Sequence, residues 1–274
     1  MRGWAAAALL VGMAWAGAGR LDVGTIIQRS KEKYEVNWQA APEYDYFERD
    51  GAGSQGTSTY HVLMISGSPY RVPVEVNGEP LPPKLRVKEQ HKLEDAFARR
   101  SAETPEQRAV RIANYERDRR RDHELLEQLT QAFDFRLLGE QTLSQHRVYV
   151  IQALPRPGYK PPNRNAEVLA AMDAKLYIDT ATFQWVRAEG VVVRPVWIEG
   201  LLARVQPGTR FELDYAPVSE GIWQLTHFEM KSRCKVLFLL SIPGQDEKSF
   251  FGYKKTSERP PQERVEYAFR IRQE

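Results

Sequence analysis

From Phe133 onward the chain is a nearly continuous series of strand-length runs: FDFRLLG, HRVYVIQAL, AKLYIDT, TFQWVRAEGVVV, TRFELDYAPV, IWQLTHFEMKS, CKVLFLLSI, KSFFGYKKT and VEYAFRIR. Most are joined by short polar or glycine-containing links. Such links suit antiparallel neighbours, because parallel strands need a crossover of a dozen or more residues. Three further runs, YDYFERDG, STYHVLMIS and YRVPVEVNG, are separated by GAGSQGT and GSP, which have the composition of turns. Roughly ten or more strands are too many for one flat sheet, since twist makes large sheets curl. The expected class is therefore α+β, with a strongly curved antiparallel sheet forming an open half barrel.

Two stretches break the strand pattern. Thr25 to Tyr34, TIIQRSKEKY, is a short helix candidate with Ile26, Ile27 and Tyr34 as its apolar contacts. From Lys84 to Gln131 the chain is crowded with Arg, Lys and Glu, and Thr104-Pro105-Glu106-Gln107 supplies a helix start, so an inserted charged helical pair is expected over 84–131. The second of these helices has apolar residues near its ends, Val110 and Ala113, then Leu125, Leu126, Leu129 and Phe133. Its middle, NYERDRRRDHE, is polar all round and is expected to stand in solvent. Two readings of that face remain open. Arg117, Arg119, Arg120 and Arg121 form a basic docking surface for a partner or for anionic lipid headgroups, or the face is merely solvated and tied by pairs such as Glu116 with Arg120.

The N-terminal MRGWAAAALLVGMAWAGAG has a basic Arg2, an apolar stretch and small residues at peptidase spacing. It reads as a cleaved secretory signal over 1–18, shorter than the roughly 20 apolar residues of a membrane span. The expected location is thus periplasmic, with peripheral membrane contact possible. A chain of 274 residues, 42% of them hydrophobic, can bury a large core. That core lies in one domain over 19–257 containing the helical insert, followed by a C-terminal strand or tail over 258–274. Cys234 is the single cysteine, so no internal disulfide can form and stability rests on packing. A formal charge of +3 gives no steering toward nucleic acid.

Nothing in the chain has the spacing of a G-x-S-x-G elbow, an H-E-x-x-H zinc site, a Walker loop, a G-x-G-x-x-G turn or a paired-cysteine metal site. The five histidines, His61, His91, His123, His146 and His227, are scattered. His123 with Glu124 and Glu127 comes nearest to a ligand set, on a stretch so charged that a surface face explains it better. Asp179, in the Asp-Thr-Ala-Thr break, reads as a turn residue rather than an acid catalyst. No enzyme activity, cofactor or metal is expected.

NGEPLPP at Asn77 to Pro83, PRPGYKPP at Pro155 to Pro162, KLYIDTATFQWVR at Lys175 to Arg187 and GLLARVQPGTRFEL at Gly200 to Leu213 resemble a group of exported bacterial proteins. These are similar to the LolA/LolB/RseB superfamily of outer-membrane lipoprotein-sorting domains. The resemblance spans about Leu21 to Ser257. It implies an open half barrel whose concave side is partly covered by helices, with an apolar cavity for acyl chains of lipoproteins or lipids. The charged helical pair is longer than in the well-studied carriers, and their lid-controlling positions have no match here. The implied function is a periplasmic carrier or chaperone that performs no chemistry. One alternative is an envelope sensing or regulatory protein that binds a partner through 84–131, and a second is an enzyme of envelope lipids or glycans.

On such a barrel, strand alternation places Val186, Ala188, Gly190 and Val192 on one side, opposite Phe183, Trp185, Arg187 and Glu189. A lane of small side chains is either cavity floor or room for a closely packed helix. Val62, Met64, Trp223, Leu225, Val236 and Phe238 are candidates for the rest of the wall. VWIEGLLARV contributes Trp197, Ile198, Leu201, Leu202 and Val205, spaced to share one face of a short helix that lines or plugs the barrel mouth, or belongs to the core.

Overall fold

A computed structural model describes residues 21–51, 56–163, 166–197, 204–236, 240–256 and 261–270. The signal segment expected over 1–18 lies outside them. Six α-helices, one 3-10 turn at Ala41–Glu43 and thirteen strands are present among the described residues. In chain order they are α1 (Val23–Ala40), β1 (Tyr44–Gly51), β2 (Thr57–Ile65), β3 (Ser68–Val76), β4 (Glu79–Pro80), α2 (Pro83–Ser101), α3 (Pro105–Glu127) and α4 (Leu129–Ala132). Then follow β5 (Phe133–Leu143), β6 (His146–Pro155), α5 (Glu167–Ala170), β7 (Met172–Asp179), β8 (Trp185–Val192), β9 (Val196–Trp197) and β10 (Arg204–Val205). The series ends with β11 (Arg210–Ser219), β12 (Ile222–Val236), β13 (Leu240–Lys255) and α6 (Pro261–Ala268).

The strands form one antiparallel sheet in the order β4-β3-β2-β1-β13-β12-β11-β8-β7-β6-β5, with β9 and β10 attached beside β12. β4 and β5 are its two edges and do not pair, so the sheet stays open. Tight two-residue turns fix the registers of the outer hairpins: Ser66-Gly67 and Asn77-Gly78 all have positive φ, which the primed hairpin turns require.

The topology explains the helical insert. The chain leaves the sheet at one edge, β4, and must re-enter at the other edge, β5. α2 and α3 make that crossing, and α3 alone spans about 34 Å at 1.5 Å per residue. Its start is the expected capping box: the Gln107 N–H donates to Thr104 Oγ1 (3.3 Å) and the Thr104 N–H to Gln107 Oε1 (3.0 Å).

Helices cover both faces of the sheet. α1 is capped by Asp22, which accepts from the Thr25 N–H (3.0 Å). It buries Ile26 and Ile27 against Phe133, Ile151, Ala153, Leu176, Ile178, Trp185 and Ala188. Its second half runs beyond the expected Tyr34 because side-chain bonds hold it. Asn37 donates to Gln184 Oε1 (2.7 Å) and accepts from the Trp223 N–H (3.0 Å). On the opposite face α2 and α6 bury Leu93, Phe97, Val265 and Ala268 against Phe47, Leu63, Ile65, Val72 and Val74.

Three expectations need correction. The C-terminal segment read as strand or tail contains helix α6, which docks on the sheet through a buried Asp45–Arg264 pair at 3.1 Å. Within VWIEGLLARV the described ends are strands: Trp197 pairs with Arg204 and Val196 with Val205. Finally, the middle of α3 does not stand free in solvent. It lacks an apolar stripe, yet Arg119 stacks over the Trp38 ring at 4.4 Å, donates to the Trp38 carbonyl and pairs with Glu116 at 2.8 Å. His123 stacks on Trp38 at 4.2 Å and meets Glu35 at 2.8 Å. Cation–π and ring stacking replace aliphatic packing there, which a hydropathy pattern cannot register.

Candidate functional site

Strand alternation divides the sheet sharply around β8, β11 and β12. One side carries Arg187, Glu189, Glu212, Asp214 and Glu229, with Arg187 bridging Asp214 (2.6 Å) and Glu212 (3.1 Å). Glu189, Glu212, Glu229 and Glu247 stand directly opposite one another across four adjacent strands. The α1 side of the same strands is apolar, so only that side can receive an apolar ligand.

A band of half-buried side chains crosses the α1 side of the sheet. Tyr46 comes from β1, Phe250 and Tyr253 from β13, Leu225 and Phe228 from β12, and Leu213 and Tyr215 from β11. The register places Leu213 beside Phe228 and Tyr215 beside Leu225. Tyr46 stacks on Tyr253 at 5.2 Å and lies 6.1 Å from Phe250, while the Tyr253 hydroxyl donates to the Leu225 carbonyl (2.7 Å). Tyr215 meets Trp185 and Tyr34 edge-on, both at 6.2 Å.

Desolvation raises the phenol pKa of Tyr46, Tyr215 and Tyr253 well above the ordinary value. All three nevertheless retain accessible surface. We read side chains crowded by protein atoms yet still partly accessible as the lining of a recess on this side of the sheet. Tyr115 on α3 is near enough for its charge to bear on Tyr46, and burial raises its own pKa. One end of the recess is polar. Arg71 pairs with Glu48 (3.2 Å) and Asp50 (3.1 Å), and Lys248 with the same two residues at 3.0 and 3.3 Å. Burial opposes ionisation of Asp50, but Lys248 and Arg71 hold its carboxyl below the usual value.

The residues expected to form the wall are only partly brought together. Val62 and Met64 are buried on β2, on the side of Tyr46, and Leu225 is part of the half-buried band, opposite Tyr215. The lane on β8 is split by a bulge at Val186, where Ile178 faces Trp185 and Tyr177 faces Arg187. The bulge sends Val186 into a cluster with Val148, Tyr177 and Trp223, while Trp185 joins Ala188 beneath α1. Val192 packs instead with Ala171, Val196 and Val205. A Cβ at Gly190 would overlap Met172 Sδ, so the room left by this glycine is filled by a neighbouring strand's thioether. Gly190→Val should therefore cost about 1–3 kcal/mol through overpacking, read as a lower urea midpoint, and Met172→Ala in the same chain should restore part of it. Trp197 and Val236 lie in strands, and Ile198, Leu201, Leu202 and Phe238 lie outside the described residues.

On α3, Arg117 and Arg120 are exposed, Arg119 is engaged with Trp38, and Arg121 is helical. His123 pairs with Glu35 on α1 and not with Glu127. Asp179 is the turn residue expected: its Oδ1 accepts from the N–H groups of Ala181 (3.0 Å) and Thr182 (2.7 Å) and from the Thr182 hydroxyl (2.8 Å). Its other oxygen faces His146 Nδ1 at 3.3 Å.

Sequence reasoning missed Tyr46, Leu213, Tyr215, Phe228, Phe250 and Tyr253. Phe211, Leu213 and Tyr215, alternating with Glu212 and Asp214, were a readable signal for one strand. Nothing in the sequence showed which strands lie beside it.

No protein-family model matches the chain, and no curated protein matches it. Solved structures do. The chain is similar to LolA superfamily structures. A LolA superfamily protein from Nitrosomonas europaea is 10% identical, with 89% of this chain and 97% of that one covered and a TM-score of 0.34. A DUF1329 family protein from Desulfovibrio piger is 10% identical over 87% and 95%, with a TM-score of 0.35. The MucA/MucB complex of Pseudomonas aeruginosa gives 12% identity over 81% and 92%, with a TM-score of 0.21. At these values the likeness carries no argument about what this chain binds. Among the described residues no helix is long and apolar enough to cross a membrane.

Proposed function

We propose that the protein is a periplasmic carrier or chaperone that holds acyl chains of lipoproteins or lipids without altering them. The observation that carries this reading is the half-buried apolar band of Tyr46, Leu213, Leu225, Phe228 and Phe250 on the α1 side of the sheet. Each methylene buried there contributes about 0.8 kcal/mol, so roughly ten suffice for micromolar retention before the costs of association are subtracted. The charged end formed by Glu48, Asp50, Arg71 and Lys248 suits the polar end of an amphiphile.

A fluorescent fatty acid tests the reading. Leu213→Trp fills the recess and should weaken the probe at least about tenfold, ~1.4 kcal/mol, with an unchanged far-UV spectrum. Equal binding by this variant, or none by the parent protein, would contradict the proposal. A second reading, an envelope sensing or regulatory protein, is favoured by the exposed Arg117 and Arg120 on α3. A partner captured by the parent and lost from Arg117→Glu/Arg120→Glu, with probe binding intact, would select it.

A further inference from the structure

A second cleft lies away from the recess, where α2 and α3 grip the β2–β3 turn. It is an open cleft of about 440 Å³ lined by Tyr70, Ala96, Arg99, Arg100, Glu103, Gln107 and Arg111. Three guanidinium groups meet there with one carboxylate. Arg111 takes both oxygens of Glu103, at 2.6 and 2.5 Å, and also bonds Ser68 Oγ (2.6 Å) and the Ser66 carbonyl (3.1 Å). Glu103 is thereby committed.

Arg100 is half-buried and donates to the carbonyls of Ile65 (2.8 Å), Ser68 (2.7 Å) and Pro69 (3.0 Å). Carbonyls take three of its five N–H donors, leaving two for a ligand, and carry no net charge. Among the described residues neither Arg99 nor Arg100 forms an ion pair, and burial together with the like charges of Arg111 and Arg99 outweighs the Glu103 carboxylate in working against the Arg100 cation. Three guanidinium groups against one carboxylate leave an excess of positive charge, partly desolvated, that favours an anion. Guanidinium donors match oxyanions, phosphate above all, in a bidentate fork. The cleft is larger than a phosphate group alone, and its Tyr70 ring, with Arg100 at 5.6 Å from the centroid, offers a flat surface to an attached organic moiety.

We propose that this cleft binds the phosphate group of a phosphate ester, with Arg99 and Arg100 on the oxyanion and the organic part over Tyr70. The proposal is independent of the acyl-chain reading. Arg99 is exposed, so replacing it leaves the packing untouched.

The test is an NMR titration of the full chain with inorganic phosphate and phenyl phosphate, against chloride at matched ionic strength. Saturable shifts confined to Tyr70 and residues 96–111 are expected, tighter for phenyl phosphate, weakened about fivefold in Arg99→Ala and lost in Arg99→Glu. Flotation with phosphatidylglycerol vesicles, compared with phosphatidylcholine alone, distinguishes the source. Arginine-dependent flotation assigns a lipid phosphate, whereas phosphate titration without flotation assigns a soluble ester. Shifts that match chloride, or an Arg99→Glu chain that titrates like the parent, would overturn the proposal.

Discussion

Replacing Arg264 by methionine should cost about 3–5 kcal/mol of folding stability, the usual effect of orphaning one member of a buried ion pair. The side chains of Arg264 and Asp45 are only 8% and 3% exposed. Arg264 Nη2 donates to Asp45 Oδ2 (3.1 Å) and to the Met64 carbonyl (3.0 Å), and its guanidinium lies 5.3 Å from the Phe97 ring centroid. Burial already raises the Asp45 carboxyl above its ordinary value, against the Met64 N–H, Arg264 and Thr256, which favour the charged form. Without Arg264 the carboxylate must take up a proton or drag water into the core. The adverse term is the orphaned charge, so Asp45→Asn in the same chain should recover stability while keeping an acceptor for the Met64 N–H (2.6 Å). Urea midpoints of the two single variants and the double variant at pH 7 measure this directly. A double variant no more stable than Arg264→Met would show that lost packing, not charge, sets the cost.

His61 should make the fold acid-sensitive. It is fully buried, stacked on Phe47 at 4.1 Å, with Nδ1 at 2.9 Å from the Ala268 carbonyl at the end of α6. A carbonyl only accepts, so Nδ1 carries the proton and Nε2 is left without a partner. Burial lowers its pKa from 6.5 to about 4, outweighing the Ala268 bond, and the charges of Arg264 and Lys254 act in the same direction as burial. The unfolded chain therefore takes the proton first as the pH falls. The stabilisation is complete above about pH 6.5, declines as the pH drops, and by pH 4 has lost about 3 kcal/mol. His61→Phe should flatten that slope in urea titrations between pH 7 and pH 4. An unchanged slope would assign the acid sensitivity to the carboxylates.

Most strand runs between Phe133 and Lys255 were legible because alternation and short links leave few ways to arrange them, whereas VEYAFRIR was misread, its first residues belonging to α6. The crossing of α3 over the sheet was not, because its contacts are made by Arg119, His123 and Tyr115, residues that a hydropathy pattern scores as polar or neutral. The small lane on β8 misled for a local reason: one bulged residue, Val186, inverts the faces on either side of it. The recess itself depends on strands remote in sequence. Tyr46 meets Phe250 and Tyr253 only because β13 returns to pair with β1, and no local pattern records that closure.

The claim that matters most is that the α1 side of the sheet accommodates an acyl chain. Native mass spectrometry of the protein released from the envelope without detergent addresses it most directly. The account predicts a population heavier by the mass of a lipid or fatty acid, which disappears on organic extraction and is depleted in Leu213→Trp. A single lipid-free mass, unchanged after incubation with excess fatty acid, would contradict it.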